Sequence, residues 1–331
     1  MRAPLKLTLF GLGLAAAFGI AAVTANAVVP TSVVDNWTSS AGEHAGMNDN
    51  KMGDEAMEGM DHASDGAAAL GLGRAQNGFA LTDVTAPTDV GTPGELRLTV
   101  RNADGTAVTE FDREHEKELH LIVVRSDGQQ FRHVHPERGP DGAWSIPWVW
   151  DAAGTYRVFA DFVPSATGEG LTLSTMVQVS GPFQAQPATG AVTEVEVDGY
   201  TVRVTGELVP GRASALTLSV DRDGKPVTTL QPYLGAFGHL VALRDGDLAY
   251  LHVHPEGETP TAGELSGPEV RFQATTPTAG RYLLYFDFQV DGRVHSAPLV
   301  LDTTGGSAPG TRPATGNETT PNQGSDGNEH D

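Results

Sequence analysis

The feature of this sequence that most constrains its fold is an internal duplication. Residues 111–137 match residues 230–256 without a gap, and residues 153–162 match residues 279–288 after about seven extra residues in the second copy. Each copy carries one histidine that is followed thirteen residues later by the tetrapeptide His-Val-His-Pro. A duplication of this length predicts two similar domains in tandem.

The spacing of strand and turn signals predicts that both domains are all-β. Runs rich in β-branched and aromatic residues alternate with Asp-Gly turns, and no long stretch has helical periodicity. We therefore expect two tandem immunoglobulin-like or cupredoxin-like β-sandwich domains, at residues 77–181 and 190–303, joined by a short linker. The clearest predicted strands are residues 95–100, 120–124, 156–162, 200–205, 216–220 and 282–288.

The two ends of the chain differ from this central region. An uncharged run at residues 7–29 follows two basic residues and is long enough for a membrane-spanning helix, whereas the small residues around Ala27 fit a signal-peptide cleavage site. Residues 1–29 are thus a hydrophobic helix that is either a membrane anchor or a cleaved signal, and both alternatives predict an extracytoplasmic protein. Residues 30–76 are predicted to be a flexible stalk, and residues 304–331 a disordered tail.

Charge and cysteine content exclude several classes of function. The formal net charge of −21 argues against nucleic acid as a partner, because a phosphate backbone would be repelled. The sequence contains no cysteine, which excludes disulfides, zinc–thiolate sites, iron–sulfur clusters and blue-copper centres. A metal site in this chain must therefore use imidazole, carboxylate or thioether ligands.

The first copy of the repeat places three histidines on one predicted face. His133 and His135 are two residues apart on a strand, so their side chains project from the same side. A two-residue turn at Asp127-Gly128 would pair His120 with His135 and bring it to that same face. These three residues form the first candidate metal site. His115 has no counterpart in the second copy, and its role stays open.

The second copy predicts an equivalent site. His239, His252 and His254 repeat the spacing, and a two-residue turn at Asp245-Gly246 would pair His239 with His252. A register that differs by two residues from that of the first copy is the alternative, and it leaves the three histidines on one face. Imidazole is the commonest neutral metal ligand, and three such nitrogens suit copper or zinc. The alternative is that these are half-buried structural histidines that the duplication has copied.

Two aspartates and one further histidine are candidates for completing these sites. Asp161 and Asp287 occupy matching places on a later strand, where each is either a fourth ligand or a hydrogen-bond acceptor within the fold. His295 occurs only in the second copy. A two-residue turn at Asp291-Gly292 would place it on the face of Phe288 rather than on that of Asp287.

The predicted stalk holds a second set of candidate ligands. Thioethers are soft ligands that prefer Cu(I) and bind zinc poorly, so this set favours copper over zinc. Methionines of a flexible segment are otherwise plain filler. The candidate residues are His44, Met47, Met52, Met57, Met60 and His62.

The chain resembles actinobacterial extracytoplasmic proteins that have a hydrophobic N-terminus and duplicated His-X-His-Pro β domains, and more distantly the envelope copper-resistance β-sandwich proteins. The resemblance rests on the two histidine triplets and on the His/Met-rich stalk. It implies a heavy-metal-binding protein that sequesters or delivers copper, with zinc less favoured, and that is not an enzyme. The alternative is a metal-free adhesion or scaffolding protein of the cell surface built from the same tandem domains.

Overall fold

A computed structural model of the chain describes residues 70–251, 253–261 and 263–304. The N-terminal hydrophobic segment, most of the stalk, His252 and the C-terminal tail lie outside the described residues. Within the described residues every regular element is a β-strand. This part of the chain contains no helix that is long and apolar enough to span a membrane.

The first repeat consists of two antiparallel sheets. One sheet has the strand order β1-β2-β3-β8-β7, and the other has the order β10-β9-β5-β6 with β4 paired to β9. The strands are β1 (Ala75–Gln76), β2 (Phe79–Thr85), β3 (Gly94–Asn102), β4 (Phe111–Asp112), β5 (Leu119–Arg125), β6 (Arg132–Val134), β7 (Glu137–Arg138), β8 (Ala143–Trp148), β9 (Gly154–Pro164) and β10 (Leu171–Val179).

The second repeat has the same arrangement. Its sheets have the orders β11-β12-β13-β18-β17, with β14 paired to β13, and β16-β15-β19-β20. The strands are β11 (Glu194–Val197), β12 (Tyr200–Gly206), β13 (Ala213–Arg222), β14 (Lys225–Pro226), β15 (His239–Arg244), β16 (Tyr250–Leu251), β17 (Val253–Pro255), β18 (Glu269–Thr275), β19 (Arg281–Val290) and β20 (Arg293–Asp302).

Both sandwiches have immunoglobulin topology. The sheet β2-β3-β8-β7 corresponds to strands A-B-E-D of that fold, and β10-β9-β5-β6 corresponds to G-F-C-C′. Each repeat also has a tyrosine corner at the start of its F strand: the Tyr156 hydroxyl donates to the Ala152 carbonyl (2.7 Å), and the Tyr282 hydroxyl donates to the Thr278 carbonyl (2.8 Å). The predicted all-β class with two repeated sandwich domains is confirmed.

The central strand β5 is buried on both faces. Leu121 and Val123 pack in the core of the first sandwich, whereas Ile122 and Val124 belong to a separate apolar cluster shared with the second repeat. Side chains alternate along a strand, so His120 lies on the same face as Ile122 and Val124. That face points toward the second domain.

Strand β15 repeats this alternation in the second domain. Leu240 and Ala242 pack in the core of the second sandwich, and Val241 and Leu243 belong to the shared cluster. His239 therefore lies on the face that points toward the first domain. The two domains consequently pack against each other through their G-F-C sheets, and both copies of the first histidine face this interface.

Two aromatic pairs connect the domains in equivalent positions. Phe131 of the first domain stacks on Tyr285 of the second, with ring centroids 3.9 Å apart. In the corresponding pair the phenylalanine and the tyrosine occupy each other's positions: Phe159 of the first domain contacts Tyr250 of the second, with ring centroids 5.6 Å apart. Because Phe131 matches Tyr250 and Phe159 matches Tyr285 in the duplication, the interface is approximately two-fold symmetric.

The turn after β5 makes the closest approach between the domains. The Tyr285 hydroxyl donates a hydrogen bond to the Gly128 carbonyl at 2.6 Å. A Cβ atom at Gly128 would lie 2.5 Å from Leu283 Cδ1, and the φ of +79° at this residue also favours glycine. Glycine in the Asp127-Gly128 turn therefore serves both the turn and the contact with the second domain.

Candidate metal centre

The hairpin formed by β5 and β6 brings the first histidine triplet together. Leu121 pairs with Val134 and Ile122 pairs with His133, which is the predicted register. Extended by one residue, this register places His135 beside His120. All three imidazoles then lie on the face that points toward the second domain.

Three ring nitrogens of this triplet converge on one point. His120 Nδ1 lies 3.0 Å from His133 Nε2 and 3.2 Å from His135 Nε2, and the three candidate ligand atoms lie within 4.8 Å of one another. Ligand nitrogens around a tetrahedral ion with bonds of roughly 2.0–2.1 Å are about 3.3 Å apart. Small side-chain shifts would therefore seat an ion between these nitrogens.

The opposite ring nitrogens show which tautomers the two central histidines adopt. His120 Nε2 lies 3.0 Å from the Glu114 carbonyl, and His133 Nδ1 lies 2.9 Å from the Asp287 carboxylate. Both partners only accept hydrogen bonds, so these two nitrogens carry the protons. His120 Nδ1 and His133 Nε2 then face each other with lone pairs at 3.0 Å. Two acceptors at this distance repel each other unless a cation, either a proton or a metal ion, lies between them.

The bond between His133 and Asp287 joins the two domains. His133 belongs to the first domain and Asp287 to the second, and their side chains are only 1% and 4% exposed. A carboxylate that accepts from a ligating imidazole fixes its tautomer and orientation and raises its basicity. Asp287 is thus placed to support a ligand, whereas the sequence made it a candidate ligand.

Burial keeps two of the three histidines neutral in the absence of an ion. It lowers the pKa of His120 to about 4 and the pKa of His135 to about 2, and the neighbouring His133 lowers both further. A metal ligand must be a neutral imidazole with a free lone pair. These two residues meet that condition throughout the neutral pH range.

The second triplet is not assembled in the same way. Strand β15 pairs Ala242 with Leu251 and Leu243 with Tyr250, so the predicted pairing of His239 with His252 is wrong by two residues. The register differs because the loop after Arg244 has four connecting residues instead of the predicted two. In this loop the Leu248 amide donates a hydrogen bond to the Arg244 carbonyl.

The members of the second triplet lie in different surroundings. His239 lies beside the first triplet, at a ring-centroid distance of 4.8 Å from His133. His254 is exposed on β17, which pairs with β18 of the opposite sheet. His252 lies outside the described residues, as do all six His and Met candidates of the stalk.

Two other candidates make their hydrogen bonds outside the triplet. Asp161 accepts hydrogen bonds from the hydroxyls of Thr172 (2.7 Å) and Tyr250 (3.4 Å), in agreement with the structural alternative. His295 stacks on Phe288 at 5.2 Å, as a two-residue turn at positions 291–292 requires. It also bonds to Asp198 at 2.8 Å and is buried in the second domain, and a metal-ligand role for His295 stays a prediction.

His115 belongs to the cluster although the sequence assigned it no role. Its ring centroid lies 6.1 Å from that of His120 and 5.3 Å from that of His239. It occupies a tight turn with a φ of +47°, followed by Glu116 at +68°. Such values are unfavourable for residues with side chains. The only signal in the sequence was its position five residues before His120.

A cavity of about 810 Å³ adjoins this cluster. His115 lines it together with His254 and several glutamates of the loop that is longer in the second copy, including Glu256, Glu258 and Glu264. Acidic side chains raise the local concentration of cations. The cavity therefore offers an approach to the histidines from solvent.

Fold and site together define a class of protein: a pair of immunoglobulin-like domains with a histidine cluster at their interface. Residues 75–181 and 195–305 match the family model described as Domain of unknown function (DUF8832). Because these matches cover more than half of the chain, the chain belongs to this family and contains its domain twice. A comparison with curated proteins gives no match.

A comparison with solved structures gives matches of low identity and low TM-score. Invasin, a bacterial integrin-binding protein, is 13% identical over 68% of this chain and 38% of its own, with a TM-score of 0.21. A Salmonella alpha-2-macroglobulin mutant is 16% identical over 74% of this chain and 16% of its own, with a TM-score of 0.24. A membrane-anchored protein of Corynebacterium diphtheriae is 9% identical over 69% of this chain and 57% of its own, with a TM-score of 0.20. This chain spans less than two thirds of each of the three.

Proposed function

We propose that this protein binds a metal ion outside the cytoplasm, through His120, His133 and His135. The observation that carries the proposal is the convergence of three imidazole nitrogens, two of which are acceptors at 3.0 Å. This contact requires a cation between the two nitrogens, and a metal ion would meet the requirement by shared coordination. Asp287 and the Glu114 carbonyl supply the outer hydrogen bonds that ligating histidines usually make.

Copper is the proposed ion, with zinc less favoured. Neutral imidazoles suit both metals, so the preference rests on the thioethers between Met47 and Met60, which suit Cu(I). The proposed role is sequestration or delivery of the ion rather than catalysis. Burial of the ligands supports this role, because His120 is only 4% exposed and a substrate has little access to the ion.

The proposal is tested by titrating the full chain with Cu(II), Cu(I) and Zn(II), followed by competition with a chromophoric chelator. Zn(II) is the discriminating ion, because thioethers bind it poorly and the stalk then contributes little. The double variant His133→Ala/His135→Ala should lose the Zn(II) site. The matched variant His252→Ala/His254→Ala changes the equivalent residues of the second copy and should keep it. Equal binding by the wild type and the first variant would refute the proposal.

A metal-free adhesion or scaffolding role is the second candidate. The observation that favours it is the apolar interface, where the two aromatic pairs and the shared cluster hold the domains together without any ion. A rigid pair of immunoglobulin-like domains is a suitable spacer at a surface, although the fold alone does not specify function. The same titration separates the candidates, because a scaffold should bind none of the three ions at the triplet.

A further inference from the structure

His239 is the histidine of the second domain that lies nearest to the proposed site. Its ring centroid is 4.8 Å from that of His133 and 5.7 Å from that of His120, with which it is parallel within 3°. His115 lies on its other side at 5.3 Å. The sequence assigned His239 to the second candidate site, but the packing of the two domains brings it beside the first triplet.

The spacing of the rings fits a common centre. Imidazoles around a tetrahedral ion, bound at roughly 2.0–2.1 Å, have ring centroids about 5 Å apart. The three rings of the triplet are separated by 5.3, 4.9 and 5.0 Å, and the His239 ring lies 4.8 Å from His133 and 5.7 Å from His120. The nitrogens that already converge are those of the triplet, so the His239 ring would have to shift toward them to bind the same ion.

The surroundings of His239 are consistent with a ligand. Within the described part of the chain its ring has aromatic neighbours, but no hydrogen bond to either ring nitrogen accompanies them. The strand register places His239 opposite Asp287, the residue that orients His133. His239 and Asp287, the two residues of the second domain at this site, are thus cross-strand neighbours in one sheet.

We propose that His239 is the fourth ligand, so that one ion is held by three histidines of the first domain and one of the second. This inference rests on the proposed metal-binding function and deepens it. A set of four protein ligands leaves no position for water or substrate, as in structural and storage sites. It also predicts one such ion per chain in place of one per domain, and makes the ion a bridge between the domains.

Cobalt(II) provides a direct test of the fourth ligand. A Co(II) ion with three histidines and a water exchanges that water for added azide, and its visible absorption changes, whereas an ion with four histidines does not respond. The full wild-type chain loaded with one Co(II) should therefore keep its spectrum when azide is added. The variant His239→Phe retains the ring stacking but has no nitrogen, and its Co(II) spectrum should respond to azide.

The variant His254→Phe is the matched control, because it changes the exposed histidine of the same copy and should behave like the wild type. His239→Phe should also weaken Co(II) binding by more than the roughly 10- to 100-fold expected for an outer-shell partner. A change in the wild-type Co(II) spectrum on addition of azide would overturn the inference while leaving the three-histidine site intact. Failure of the wild type to bind Co(II) would instead overturn the proposed function. The wild-type measurement decides between these outcomes even if the variant does not fold.

Discussion

Replacing Asp287 by asparagine tests whether the second domain supports the metal site. The amide oxygen can still accept the proton of His133 Nδ1, but the negative charge that raises the basicity of the imidazole is lost. Loss of an outer-shell partner costs roughly 10- to 100-fold in metal affinity, which is about 1.4–2.7 kcal/mol. Because the hydrogen bond survives in this variant, we expect Asp287→Asn to lie near the lower end of that range. Asp287→Ala leaves a nearly fully buried N–H without an acceptor and should lie near the upper end.

The duplication offers a matched control for this experiment. Asp161 occupies the equivalent position of the first domain, but its partners are the hydroxyls of Thr172 and Tyr250. Asp161→Asn removes the same charge opposite His120 but no hydrogen bond to a ligand, so it should lower the affinity less than Asp287→Asn does. The assay is chelator competition with Zn(II) at pH 7, with urea unfolding of each apoprotein to correct for changes in stability. Equal losses of affinity in Asp287→Asn and Asp161→Asn would refute the assigned role of Asp287.

Three further predictions concern the apoprotein and the interface. His120 has a pKa of about 4 when folded and about 6.5 when unfolded, so the unfolded chain binds the extra proton between these values. His120 alone should therefore lower the stability by about 2 kcal/mol between pH 7 and pH 5, and the lowered pKa of His135 adds to the fall; urea midpoints that stay constant would contradict this. His295→Ala should lower the melting temperature without changing Zn(II) affinity, since its ring packs on Phe288. A reduced Zn(II) affinity would instead indicate that His295 is a ligand. Tyr285→Phe should cost about 1 kcal/mol in urea unfolding by removing the bond to Gly128, and an unchanged midpoint would show that this bond contributes nothing.

Much of the fold follows from local patterns in the sequence. The Asp-Gly turns and the alternation of apolar residues predict the strands and the register of the first hairpin, because both depend on residues close in sequence. The second hairpin was predicted with the wrong register, since the sequence of the loop after Arg244 allows either two or four connecting residues. The packing of one domain on the other was not predicted. Its signal was the unbroken apolar run in β5, where strand residues with no polar alternation indicate burial on both faces.

The site could be predicted only as far as it is local. The spacing of His120, His133 and His135 predicts a shared face, and the structure brings these three together. The contributions of Asp287 and His239 depend on the distance between two domains, which no turn or strand period encodes. For the same reason the sequence assigned His239 to a site of its own.

The symmetric pairing of Phe131 with Tyr285 and of Phe159 with Tyr250 has a consequence for how such a site can diverge. Each domain presents the same patch to the other, which is the isologous contact of a two-fold homodimer. In a homodimer every substitution appears in both subunits. Two identical histidine clusters would then have to occupy the same part of the interface. Joining the halves in one chain removes that restriction, so that one half carries His115 where the other carries Leu234. Covalent fusion thus allows a single asymmetric centre to occupy an interface that remains symmetric in its apolar packing.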